Sequence, residues 1–171
     1  MFDPTAYENI KVILEGLVYD YDLSGQIKVI ERNDLVNLAD LSRNFNMSFI
    51  HKRDRKQRLT MTVELKADFK QLASEWAAVA EEPGANFSIQ YSLSNSLNEI
   101  LEKRILKFFK QRPALDFYFE AYKQIYLDQR TVQVYKFNKI HPITEKTLDE
   151  VGSIIEQTIM AGKSIYQMLQ H

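Results

Sequence analysis

From Phe45 to Glu82 the chain reads as a β-hairpin that runs directly into a helix, and such a unit commits its neighbours to a sheet with one covered face. Phe45, Met47 and Phe49 alternate with polar residues on the first arm, and Leu59, Met61, Val63 and Leu65 do so on the second, the period of half-buried strands. The link between them, Ile-His-Lys-Arg-Asp-Arg-Lys-Gln-Arg at 50–58, is too charged to bury and is expected to turn in solvent. From Lys66 the period becomes helical. Phe69, Leu72, Ala73, Trp76 and Ala80 form an apolar stripe expected to cover the hairpin, with Lys66, Asp68, Lys70, Ser74 and Glu75 off it. Burying the only Trp there would contribute about 2–3 kcal/mol, and Pro83-Gly84 closes the unit.

Elsewhere the pattern alternates between the same two periods. Asp3-Pro4 is a helix start, and Tyr7, Ile10, Leu14 and Leu17 carry a stripe that predicts a helix over 4–16. Residues 17–22 and 26–31 read as two short strands around Asp22-Leu23-Ser24-Gly25, and 33–44 as either a short helix or an extension of the next strand. Phe87, Ile89, Tyr91 and Leu93 alternate as a strand, and Ser96 with Glu99 forms a capping box opening a helix to Lys110 along Leu97, Ile100, Leu101, Ile105 and Phe108. From Pro113, the stripe Leu115, Tyr118, Phe119, Tyr122, Ile125 and Tyr126 favours a helix, although Phe117, Ala121 and Leu127 fit a strand. A strand follows at Thr131–Phe137. After the break at His141-Pro142 a long helix is predicted over 145–169, capped by Thr144, with Ile143 stapled to Leu148, or by Thr147 with Glu150. The strand-then-helix units at 58–81 and 87–110 share architecture but not residues. These elements predict an α+β fold: a mainly antiparallel sheet with several packed helices and a long C-terminal helix, in one domain spanning 1–171.

A chain of 171 residues, 45% hydrophobic, is long enough to build its own core, and its five Gly and four Pro form no linker-like tract. The absence of cysteine excludes disulfides, thiolate metal sites and Cys nucleophiles. With 22 basic and 23 acidic residues, any attraction to nucleic acid or membrane must be local. The opening Met-Phe-Asp-Pro-Thr-Ala-Tyr-Glu lacks the basic start and apolar core of a signal peptide, and no apolar run approaches the roughly 18 residues of a membrane span. The cytoplasm is therefore the expected address.

One motif has metal-ligand spacing. Read as a twelve-residue EF-hand loop, Asp20 to Glu31 offers side-chain oxygens from Asp20, Asp22 and Ser24, the carbonyl of Gln26 and a bidentate Glu31, with Gly25 at the sharp turn. Against calcium, Lys28 stands where a ligand or bridging water belongs, Arg32 and Asn33-Asp34 interrupt the outgoing helix, and no second loop is present to pair with it. Ile27, Val29 and Ile30 also prefer a strand, so a β-hairpin is the expected structure here.

The hairpin tip at 51–58 sets Lys52, Arg53, Arg55, Lys56 and Arg58 against the single acid Asp54, beside His51. Such a finger can lie along phosphates, or it can be a solvated turn that keeps the strand edges from pairing. From 108 to 137, nine aromatics are interleaved with Lys107, Lys110, Arg112, Lys123, Arg130, Lys136 and Lys139. That pattern suits single-stranded nucleic acid, but equally a core or a subunit interface. His51, His141 and His171 are far apart in sequence, with no neighbours that suggest metal binding or proton transfer. No GxGxxG, Walker, HExxH or GxSxG sequence occurs.

No cofactor or catalytic residue is expected from these patterns. The reading they favour is a non-enzymatic protein acting through contact with a second copy of itself or with another protein. The alternative is a nucleic-acid or phosphate-ligand binder using 51–58 and 108–137, and a third is an enzyme whose site is assembled from scattered residues. The expected subunit seam lies on the C-terminal helix, where Ile154, Ile159, Tyr166 and Met168 widen the apolar surface. Gly162, with Gly152 on nearly the same side, would admit a close neighbour there at about 1 kcal/mol of helix propensity.

Overall fold

A computed structural model describes residues 5–74, 82–94, 97–112 and 116–171. The fold is α+β. The described elements follow in the order α1 (Thr5–Leu23), β1 (Ile27–Val36), β2 (Arg43–His51), β3 (Leu59–Ala67), α2 (Phe69–Ala73), β4 (Gly84–Ser94) and α3 (Glu99–Lys110). Then come β5 (Phe117–Ile125), β6 (Thr131–Lys139), the two-residue β7 (Ile143–Thr144), a 3-10 turn (Glu145–Thr147) and α4 (Leu148–Met168). The seven strands form one antiparallel sheet in the order β1-β2-β3-β4-β6-β5, with β7 paired to the start of β4.

The hairpin forms as its alternation predicts, with Phe45 opposite Leu65 and Phe49 opposite Met61. Its odd-numbered side chains join those of β4, Phe87 to Leu93, in a continuous buried layer. That layer lies under α1 and α4. The helix expected from Lys66 is displaced: β3 runs on to Ala67, and Asp68 opens the short α2 through a capping box with Gln71. Leu72 reaches the core while Phe69 is half exposed. Ala73, half-buried, ends α2, and Trp76 and Ala80 of that stripe fall outside the described residues.

Three local readings are corrected. Residues 17–22 are not a strand: α1 continues to Leu23, burying Tyr7, Ile10, Leu14 and Val18, and Gly16 has open space around it. Gly25, at φ 77°, then closes a Schellman cap, its N–H donating to Asp22 O and that of Gln26 to Tyr21 O. The turn is thus helix-to-strand, not a β-hairpin. Of the two readings of 33–44 the helix fails and the strand extension holds at Arg43 and Asn44, which begin β2, while β1 extends to Val36. The helix expected from Pro113 is strand β5 over its described part, because Phe117 and Phe119 can then share the buried face with Phe137, opposite which Phe119 pairs.

The long C-terminal helix is present. Thr144 and Thr147 cap the 3-10 turn ahead of it reciprocally, and Val151, Ile155, Thr158, Ile159, Ala161, Gly162 and Ile165 are buried. Helix α3 is capped two residues later than predicted: Asn98 accepts from Leu101 N at 2.8 Å, while Ser96 falls outside the described residues. Its buried residues are Ile105 and Phe109, and Ile100 of the predicted stripe points to solvent. Among the described residues no helix is long and apolar enough to cross a membrane.

Candidate functional site

The basic tip is not a free finger. Asp54, 2% exposed, accepts Leu59 N at 3.0 Å and orders the turn from inside. Arg58 donates to Leu169 O at 2.7 Å, at the C-terminal end of α4 where a cation complements the helix dipole. Tyr166 donates from its hydroxyl to Arg53 O at 3.1 Å, and its ring stacks on His51 with centroids 4.4 Å apart. Burial, then the charges of Arg53 and Lys163, hold the His51 imidazole below its ordinary pKa. Lys52, Arg53, Arg55 and Lys56 do remain exposed, so the tip keeps four of its five cations toward solvent.

The aromatic segment divides. Phe109, Tyr135 and Phe137 are buried, and Phe108, Phe117 and Phe119 pack against the core. Tyr118, Tyr122 and Tyr126 are exposed on the other face of the sheet or at its end. Backbone geometry explains what else is free there. Ile140 N donates to Asp116 O at 2.8 Å and Tyr126 N to Arg130 O at 2.9 Å, so even-numbered residues of β5 direct their backbone groups to β6. The backbone groups of Phe117, Phe119, Ala121, Lys123 and Ile125 therefore face outward. Among the described residues β5 is the last strand of the sheet, and nothing pairs with that edge.

The residues with metal-ligand spacing do not converge. Asp20 and Asp22 lie in the last turn of α1, Asp22 Oδ2 accepts Val29 N, Ser24 bonds to Tyr21 O and to Gln26, and Glu31 accepts from Asn33 on β1. Among the described residues no three His, Asp or Glu side chains are grouped to hold a metal ion. The residues expected at a subunit seam meet partners in their own chain. Gly162 faces Met61, Ile159 is buried, Tyr166 holds His51, and Ile154 borders a cleft between α3 and α4.

That cleft encloses about 340 Å³ over β4 and β6. Tyr91, Phe109 and Phe137 form its floor, with the Tyr91 hydroxyl donating to Thr158 O at 3.3 Å. Lys139, its side chain 4% exposed, lies 3.2 Å from Glu150 and 3.5 Å from Asp116. Arg112 stands over the ring of Phe108 and makes one long bond, 3.5 Å, to Gln157 O. Sequence patterns missed this site because its polar groups come from separate elements, and its floor residues Tyr91 and Phe137 read as ordinary strand alternation while Phe109 comes from α3. No protein-family model, curated protein or solved structure matches the chain.

Proposed function

We propose that the protein acts by protein–protein contact, as a homodimer in which β5 pairs antiparallel with β5 of a second copy. The observation that carries this reading is the open edge of β5 beside exposed apolar side chains, Tyr118 at 61% and Ile125 at 71% exposure. Natural sheets usually blunt such an edge. The opposite edge of this one is blunted: β1 has a bulge between Val29 and Glu31, and Arg32 and Asp34 on it are tied to Glu15 and Lys11 of α1.

A second copy is the occupant that suits β5 best, because the strand is complementary to itself. A register centred on Tyr122 sets that ring opposite its own copy, Phe119 opposite Ile125, and Glu120 opposite Gln124, with no like charges facing. A twofold pairing of β5 with β5 also closes, whereas β5 on β1 would extend without limit. The rival nucleic-acid reading needs the aromatic rings of 108–137 on a shared surface with the tip, and six of those nine rings are buried or packed against the core.

Proline at 121 is a selective test, since the Ala121 N–H points away from β6 and its loss removes no bond of the β5–β6 ladder. Sedimentation velocity should give a dimer for the native chain and a monomer of unchanged circular dichroism for Ala121→Pro. A native chain that stays monomeric at millimolar concentration, or a variant that stays dimeric, would overturn the reading.

A further inference from the structure

The cleft between α3 and α4 differs from a packing defect in the way its charges are distributed. Lys139 is almost fully buried and lies against two carboxylates, Asp116 and Glu150, so both acids are engaged while that side of the cleft keeps one negative charge in excess. Arg112 is in the opposite state. Among the described residues it has no carboxylate partner, and its guanidinium, with Cζ 5.4 Å from the centre of the Phe108 ring, retains most of its donors. One cation with no ion-pair partner among the described residues thus stands at the border of an aromatic floor.

From this arrangement we infer that the cleft binds a small monocarboxylate with an aromatic or aliphatic body, its carboxylate on Arg112 and its body over Tyr91, Phe109 and Phe137. Arginine suits this role because its planar fork can give a carboxylate two parallel hydrogen bonds. The apolar body gains by leaving water, and the cleft volume of about 340 Å³ is at the small end of ligand sites. Multiply charged anions are selected against. A second negative group would meet Asp116 or Glu150, both already committed to Lys139 and unable to offer a proton donor while ionised. Neutral molecules gain the floor but leave Arg112 unused. The inference is independent of the dimer: it concerns the covered face of the sheet, and the proposed pairing uses the edge.

Titration calorimetry with 2-naphthoate and with octanoate tests it directly. At least one should bind saturably, and Arg112→Gln should weaken that binding by tenfold or more, about 1.4 kcal/mol, while leaving the affinity of the uncharged 2-naphthalenemethanol within twofold. Arg112→Lys, which keeps the charge without the fork, should fall between the two and serves where Arg112→Gln does not fold. Ser153→Trp, which fills the cleft from α4, should abolish binding of acid and alcohol alike. The inference is overturned if neither acid binds at millimolar concentration. It is also overturned if binding is indifferent to Arg112 or to Ser153→Trp, or if 2,6-naphthalenedicarboxylate binds as tightly as the monoacid.

Discussion

Gly162 of α4 sits directly over Met61 of β3: a Cβ built on the glycine would stand 2.9 Å from Met61 Cε and closer still to Sδ. The neighbour that this glycine admits is therefore a core side chain of its own sheet. Met61 is 1% exposed and has little room to swing away. Alanine at 162 would gain about 1 kcal/mol of helix propensity but incur overpacking of about 1–3 kcal/mol, so a small net loss of stability is expected. Because the clash needs both side chains, Gly162→Ala should cost less, or stabilise, in a Met61→Ala background. Urea unfolding of the four proteins of this cycle measures the coupling. Additive effects would mean that Met61 repacks freely.

A second contact ties the β2–β3 turn to the end of α4, and it depends on pH. The His51 ring lies 15° from parallel with Tyr166, and burial with nearby Arg53 and Lys163 disfavours its protonated form. The unfolded imidazole, at its ordinary 6.5, takes up a proton more readily than the folded one. Stability from this group is accordingly complete above about 6.5 and is lost as pH falls through the lower folded value. Urea midpoints taken from about pH 8 to about pH 5 should decline in the native chain more than in His51→Phe, which keeps the stack without the titration. Parallel declines would remove His51 as the cause.

Legibility in the sequence followed how local each decision was. The hairpin β2–β3 and the helix α4 were readable because their periods are unbroken over many residues and their partners lie nearby. Strand β5 was not, since Phe117 to Tyr126 satisfies both periods, and the choice is made by pairing with β6, where Phe119 meets Phe137. Residues 17–22 misled in the opposite direction. Val18, Tyr19 and Tyr21 favour strands individually, but Val18 extends the buried stripe of Ile10 and Leu14 by one more turn. The charged tip concealed a buried Asp54, because composition cannot tell an acid that caps a turn from one in solvent. Arg112 and Lys139 were visible only as members of a basic series; their unequal shares of Asp116 and Glu150 are a tertiary fact.

Four charges join α1 to the paired strands β1 and β2. Lys11 Nζ lies 2.8 Å from Asp34 and also pairs with Glu8, while Arg43 lies 2.7 Å from Glu8 and over the ring of Tyr7. Burial alone would raise the Asp34 pKa, but hydrogen bonds and charge from Lys11, with Arg43 behind them, hold it below its ordinary 3.8. Burial likewise opposes the charged form of Lys11, and its bonds to Asp34 and Glu8 outweigh that and raise its pKa. The two groups act at opposite ends of the pH scale. Stability from Asp34 is complete above about 3.8 and is lost as pH falls through its lower folded value. That from Lys11 is complete below 10.5 and is lost as pH rises through its higher one. Asp34→Asn should therefore lower stability by about 1–3 kcal/mol throughout the neutral range, and the difference from the native chain should shrink only in strong acid. Replacing both partners, Lys11→Met with Asp34→Leu, should cost less than the two single changes together, because neither then leaves a charge unpaired. Denaturant unfolding across pH measures all of these, and an Asp34→Asn protein as stable as the native chain at neutral pH would show the network to be solvated and without net effect.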